Sequence, residues 1–124
     1  MSESKDSNAT QPIDMSSALE RIGGDESLLQ ELINIYIEDF LEKNDLLRKA
    51  IEHRDFITIK EIGHSLKGSS GNLSLNHLQV TSSQIEMAGK EEDIERARYH
   101  FQVLNQQFMK FIDFFPSLRH QSLE

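Results

Sequence analysis

Cysteine and tryptophan are missing from this chain, and proline occurs only twice, at Pro12 and Pro116. Without cysteine there is no disulfide framework, no thiolate metal site and no thiol nucleophile. The apolar runs are far too short to span a bilayer, and no basic start with an apolar centre marks a signal peptide. The expectation is a cytoplasmic protein with no membrane segment. Positive charge is also scarce: 13 Lys and Arg stand against 21 Asp and Glu, a net charge of −8. That argues against a nucleic-acid partner, which needs a concentrated basic face. The deficit is uneven, however. Between residues 52 and 75, Glu52, Asp55 and Glu61 are matched by Arg54, Lys60 and Lys67, so the middle of the chain is its least acidic part.

What is present is helical periodicity. At 124 residues, with seven phenylalanines, two tyrosines and abundant Leu and Ile, the chain suits one domain with one core. Residues 1–13 are polar up to Pro12 and read as a disordered tail or linker. The bundle is expected over 14–116, with a C-terminal tail at 117–124 whose Leu123-Glu124 is either native or a scar. Asp14 and Ser17 offer a cap for a short first helix that Gly23-Gly24 stops. Asp25 then caps a long helix on which Leu28, Leu29, Leu32, Ile35, Tyr36, Phe40, Leu47 and Ile51 recur at helical spacing, with Asn44-Asp45 as a place for a bend or an interruption. His53-Arg54-Asp55 breaks that pattern, and Asp55 caps a third helix. A fourth runs from His77 to Ala88, with Leu78, Ile85 and either Thr81 or Ser82 inward. Glu91-Glu92-Asp93 place negative charge at the start of a fifth, favourable with the helix dipole. Ile94, Ala97, Phe101, Leu104, Phe108, Phe111 (or Ile112) and Phe115 make its core seam, closed by Pro116. The fold class is therefore all-α: an up-down antiparallel four-helix bundle with a short extra N-terminal helix.

The third helix carries the candidate chemistry. At about 100° per residue, Ile59, Ile62, Leu66, Ser70 and Leu73 form its core stripe, and His64 points nearly the opposite way. Lys60, Lys67, Gly68 and Gly71 share its side. A glycine inside a helix costs roughly 1 kcal/mol relative to alanine, so two beside an exposed imidazole suggest that something large must approach the ring. A metal is the weaker reading. His53 lies eleven residues from His64, whereas helical metal-binding pairs are three or four apart, and no His-Glu-x-x-His or Cys-rich pattern occurs.

The run His64-x-Leu66-Lys67-Gly68-Ser69-Ser70-Gly71-Asn72-Leu73 resembles the signature of the histidine-containing phosphotransfer (HPt) domain of multistep phosphorelays. Leu78 and Ile85-Glu86-Met87-Ala88 are similar to that family's next helix, and Ile22-Gly23-Gly24-Asp25-Glu26 to its turn before the first long helix. The resemblance covers roughly residues 14 to 115. It implies a phosphorelay intermediate that accepts a phosphoryl group on His64, through Nε2, from a phospho-aspartate receiver domain and passes it to another receiver. It also implies a carrier without autokinase activity, with response-regulator receivers and a (hybrid) sensor histidine kinase as partners. The motif needs only a monomer.

On that reading Lys67 stabilises phosphoryl charge, Lys60 supports it, and Gln84 on the next helix orients the imidazole. Gly68 and Gly71 keep the docking surface flat, with Ser65 and Glu61 beside them. No carboxylate cluster flanks His64 in sequence, so no cofactor is intrinsic and Mg²⁺ is expected from the receiver. Three rivals stand against it. The dimerisation domain of a sensor kinase typically follows its histidine with an acid and later a proline; here Ser65 follows, and no proline lies between Pro12 and Pro116. A non-catalytic helical adaptor of the same fold, binding receiver or kinase domains, is the alternative, although the His-x-Leu-Lys-Gly run is intact. A hydrolase using His64 as base finds no activated nucleophile nearby.

Overall fold

The computed structural model describes residues 11–114. Five helices follow in order: α1 (Met15–Arg21), α2 (Glu26–Glu52), α3 (Phe56–Asn72), α4 (Asn76–Lys90) and α5 (Ile94–Phe114). The last four form the up-down bundle, and no strand occurs among the described residues. None of these helices is long and apolar enough to cross a membrane.

The three connections within the bundle (53–55, 73–75 and 91–93) are built alike. In each, the middle residue adopts a left-handed backbone: Arg54 at φ 53°, Ser74 at 57° and Glu92 at 53°. The residue after it donates its N–H back to a carbonyl in the last turn of the preceding helix, as Asp55 does to Ala50, Leu75 to Ser70 and Asp93 to Ala88. This is the helix-ending arrangement that glycine usually supplies, here made by three residues with side chains. That same last residue starts the next helix. Asp55 accepts from the Thr58 N–H and Asp93 from the Arg96 N–H, whereas Leu75 gives no side-chain cap and is fully buried. Termination and initiation share three residues, so the helices turn back tightly.

Helix α1 lies against the α3–α4 turn. Asp14 caps it by accepting from Ser17 N–H, its own N–H donates to Ser74 O, and Ser74 Oγ donates to Ser17 Oγ. Ile13 is fully buried in the core, so the packed region begins one residue before the expected boundary at 14. The remainder of the expected N-terminal tail up to residue 10, and Phe115, Pro116 and the C-terminal tail, lie outside the described residues.

Two expectations for α2 need correcting. Ile35 is 61% exposed and Leu28 38%, while Ile33 and Ile37 face the core instead. Leu28 and Ile35 sit one step round from the true stripe, which runs through Leu29, Ile33, Tyr36, Phe40 and Leu47. Nor does Asn44-Asp45 interrupt the helix. Asn44 and Asn105 of α5 exchange amide hydrogen bonds, 2.8 Å one way and 3.2 Å the other, and so satisfy each other between helices. Around them Phe40 stacks on Phe108 at 3.8 Å between ring centroids, and Tyr36 meets Phe111 edge-on. On α5 it is Phe111 that is fully buried, with Ile112 only partly so.

Candidate functional site

The core stripe expected on α3 is buried throughout: Ile59, Ile62, Leu66, Ser70 and Leu73. The stripe fixes the helix rotation, and His64 therefore stands out, its side chain 69% exposed. Ser70, the polar member of the stripe, is satisfied in the core by a 2.8 Å hydrogen bond with Tyr36. Burial holds the Tyr36 hydroxyl above its ordinary pKa, against the bond to Ser70.

Helix α4 approaches α3 closely beneath His64. A Cβ on Gly63 would lie 2.5 Å from the backbone nitrogen of Glu86, and one on Gly89 would lie 2.5 Å from the backbone nitrogen of Lys60. The two glycines are reciprocal: each lets the other helix's backbone into the place of its missing side chain. Because the helices are antiparallel, this contact sets Glu86 directly beside the histidine.

Glu86 is nearly buried, and its two oxygens are divided between two partners. Oε2 lies 2.9 Å from His64 Nδ1 and Oε1 lies 2.7 Å from Lys67 Nζ. The Lys67 ammonium holds the carboxyl below the ordinary carboxylate range, desolvation opposes it, and the bond to His64 adds to the lowering. An ionised carboxylate can only accept, so Nδ1 carries a proton and donates. In a neutral ring, that leaves the Nε2 lone pair as the free acceptor and nucleophile.

The other sequence candidates divide. Gly68 has nothing within 4 Å of where a Cβ would be, which leaves the surface beside His64 open. Gly71 does not extend it: the Gln79 side-chain amide of α4 lies over this glycine, 2.7 Å from a Cβ placed there. Gln84 does not reach the imidazole either, because its side-chain oxygen accepts from Arg96 of α5 at 3.0 Å; Glu86, two residues on and toward α3, takes that place. Ser65 accepts a 2.6 Å bond from Lys43, which also pairs with Asp39 at 2.9 Å. Lys60 and Glu61 are exposed. Among the described residues no three His, Cys, Asp or Glu side chains gather so as to hold a metal ion. Sequence reading missed the roles of Glu86, Gly63, Gly89 and Lys43, each of which acts across a helix–helix contact.

A model of the Hpt domain matches residues 31–110, more than half of the chain. The chain belongs to the Hpt family. The matched span runs from within α2 to within α5 and contains His64, Lys67, Gly68 and Glu86. Hpt domains are helical bundles that serve histidine phosphotransfer in phosphorelays, and this member has that architecture. Comparison with curated proteins and with solved structures returns no match.

Proposed function

We propose that this Hpt domain is a phosphorelay intermediate that takes a phosphoryl group on His64 Nε2 from a receiver-domain aspartyl phosphate and hands it to a second receiver. The observation that carries the reading is the exposed His64 ring with Nδ1 held by the Glu86 carboxylate.

In the transfer the Nε2 lone pair forms a bond to phosphorus while the phosphorus–oxygen bond to the aspartyl carboxylate breaks, and that carboxylate leaves with the electron pair. The ring keeps its Nδ1 proton and becomes cationic as Nε2 is used. Glu86 faces that developing positive charge from the first moment of attack, so no dipole needs to reorganise. It is a positioning residue: it fixes the tautomer, aims Nε2 outward and balances the ring. Lys67 pairs with the same carboxylate that holds the ring, and Lys60 lies one turn before His64. Gly68 leaves room for the receiver's active-site face. Mg²⁺, which offsets charge on the transferring group, would be supplied by the receiver. One His64 in one chain suffices for this chemistry, so the carrier acts as a monomer.

The test is to incubate the protein with Mg²⁺ and several phosphorylated receiver domains, and to follow labelled phosphate on the wild type and on His64→Gln. Acid-labile, base-stable label on the wild type alone is expected, with helicity and thermal unfolding the same in both. A well-folded wild type that takes no label from any receiver would favour the adaptor reading instead.

A further inference from the structure

The position of Lys67 poses a problem for any role at the phosphoryl group. Its ammonium sits on Glu86 Oε1 at 2.7 Å, and Glu86 is bonded to the Nδ1 edge of the ring. Nε2 faces away from that edge. In the resting protein Lys67 is therefore paired with the carboxylate that holds the Nδ1 edge, rather than with a group at Nε2.

The charges resolve this. A ring that attacks through Nε2 does so in its neutral form, and the Glu86 carboxylate beside it is balanced by Lys67. Once Nε2 bonds phosphorus, the ring is a cation whose Nδ1–H already points at Oε2, and the phosphoryl oxygens carry the negative charge that lacks a partner. Glu86 then has a second cation in place. Lys67, its side chain still 35% exposed and on a flexible four-carbon stem, is free to follow the charge. Resting on the reading of His64 as phosphoacceptor, we propose that Lys67 has two stations: Glu86 Oε1 in the unphosphorylated protein and the phosphoryl oxygens during and after transfer. Glu86 thus holds Lys67 in reserve, and the positive charge arriving on the ring releases it.

A consequence separates this from a purely structural ion pair. Lys67 must leave Glu86 to act, so the carboxylate charge opposes its catalytic contribution. Glu86→Gln keeps an amide oxygen able to accept from Nδ1–H but removes the charge that detains the ammonium. The measurement is the rate of phosphoryl uptake from phosphoramidate, which needs no receiver. In this reaction the donor's P–N bond breaks, Nε2–P forms and ammonia leaves. Four proteins are compared: wild type, Lys67→Ala, Glu86→Gln and the double variant, each checked for unchanged thermal unfolding.

The rate loss caused by Lys67→Ala is expected to be about two- to five-fold larger in the Glu86→Gln background than in the wild type, the range for releasing a partly exposed ion pair. Equal losses in both backgrounds would mean that Lys67 does not have to leave the carboxylate. A loss confined to the wild-type background would mean that Lys67 acts only by holding Glu86. Either result overturns the two-station proposal. Label on His64 from phosphoramidate with none from any receiver would instead sink the relay reading and leave the cycle interpretable. No label on His64 from phosphoramidate, with label from a receiver, would overturn the two-station proposal alone; no label from either donor would overturn both.

Discussion

Two glycines on one helix should respond oppositely to the same substitution. At Gly63 a new Cβ would lie 2.5 Å from Glu86 N, 2.8 Å from Glu86 Cα and 3.0 Å from Ser82 O. All three are backbone atoms, so no side-chain rotation relieves them. Carbon contacts settle near 3.5–4.0 Å, so α3 and α4 would have to part by about 1 Å at their closest point. Overpacking of this kind costs about 1–3 kcal/mol, and a rigid obstacle puts it toward the upper end. The helix propensity gained by replacing glycine returns about 1 kcal/mol. A net loss of about 1–2 kcal/mol remains for Gly63→Ala. Gly68 lies five residues on with nothing within 4 Å, and there Gly68→Ala keeps the propensity gain of roughly 0.5–1 kcal/mol. Thermal and urea unfolding of the two variants should bracket the wild type. At about 3–6 °C per kcal/mol for a domain of this size, the separation is easily read. Gly63→Ala should also loosen the 2.9 Å His64–Glu86 contact, because it pushes on the Glu86 backbone itself, and so slow phosphoryl uptake more than its stability loss explains. A Gly63→Ala protein as stable as Gly68→Ala would refute the reasoning, since the close approach of the helices would then not rest on a missing side chain.

Other consequences are open to measurement. Tyr36→Phe strands the buried Ser70 hydroxyl and should cost about 1–3 kcal/mol; with Ser70→Ala added, the total should fall short of the sum of the two single losses in denaturant unfolding. Arg54→Gly and Glu92→Gly place glycine at exposed left-handed positions and should each raise stability by about 0.5–1 kcal/mol in thermal unfolding. The carboxyl of Glu86 is lowered chiefly by Lys67, so its stabilisation is present above the unfolded carboxylate value and is lost as pH falls through the lower folded value. Lys67→Ala should therefore move the Glu86 carboxyl titration upward in carbon NMR; an unmoved titration would mean the two groups are not paired in solution. Gly68→Gln should leave folding nearly intact while impairing uptake from a receiver far more than uptake from phosphoramidate, and equal impairment of both would remove its docking role.

The helices were legible because their signals are local. Asp14, Asp25 and Asp55 each cap the helix that the sequence assigns to them, and the stripe of α3 is a plain period of three and four. Even there, an apolar residue was not always an inward one. Ile35 and Leu28 satisfied the spacing on α2 but lie outside the face, because that helix touches its neighbours over a narrower arc than its apolar residues cover. The ends of the helices were harder to read. The usual mark is glycine, and the three bundle turns use Arg54, Ser74 and Glu92. A left-handed residue with a side chain has no compositional signature, and only the shared bonding across each turn exposes it.

At the site, the limit was different. His64, Lys67 and Gly68 belong to one helix, so their mutual placement follows from rise and rotation alone. Which residue of α4 meets the ring depends on the offset between two helices. Gln84 and Glu86 differ by two residues, about 200° of rotation, which is the difference between facing α5 and facing α3. The periodicity of Leu78 and Ile85 gives position 86 to the buried face of α4, but it does not say that this position meets His64. The choice is made by Gly63 and Gly89, each opposite a backbone segment rather than a side chain. A pair of glycines twenty-six residues apart, separated by a turn and each read alone, looks like two weak points in two helices. Read together across an antiparallel pair, they fix the register to one turn and bring the carboxylate to Nδ1. A buried acid on α4 three residues before a buried glycine, set against a buried glycine one residue before an exposed histidine on α3, is therefore the sequence signal that would have found Glu86.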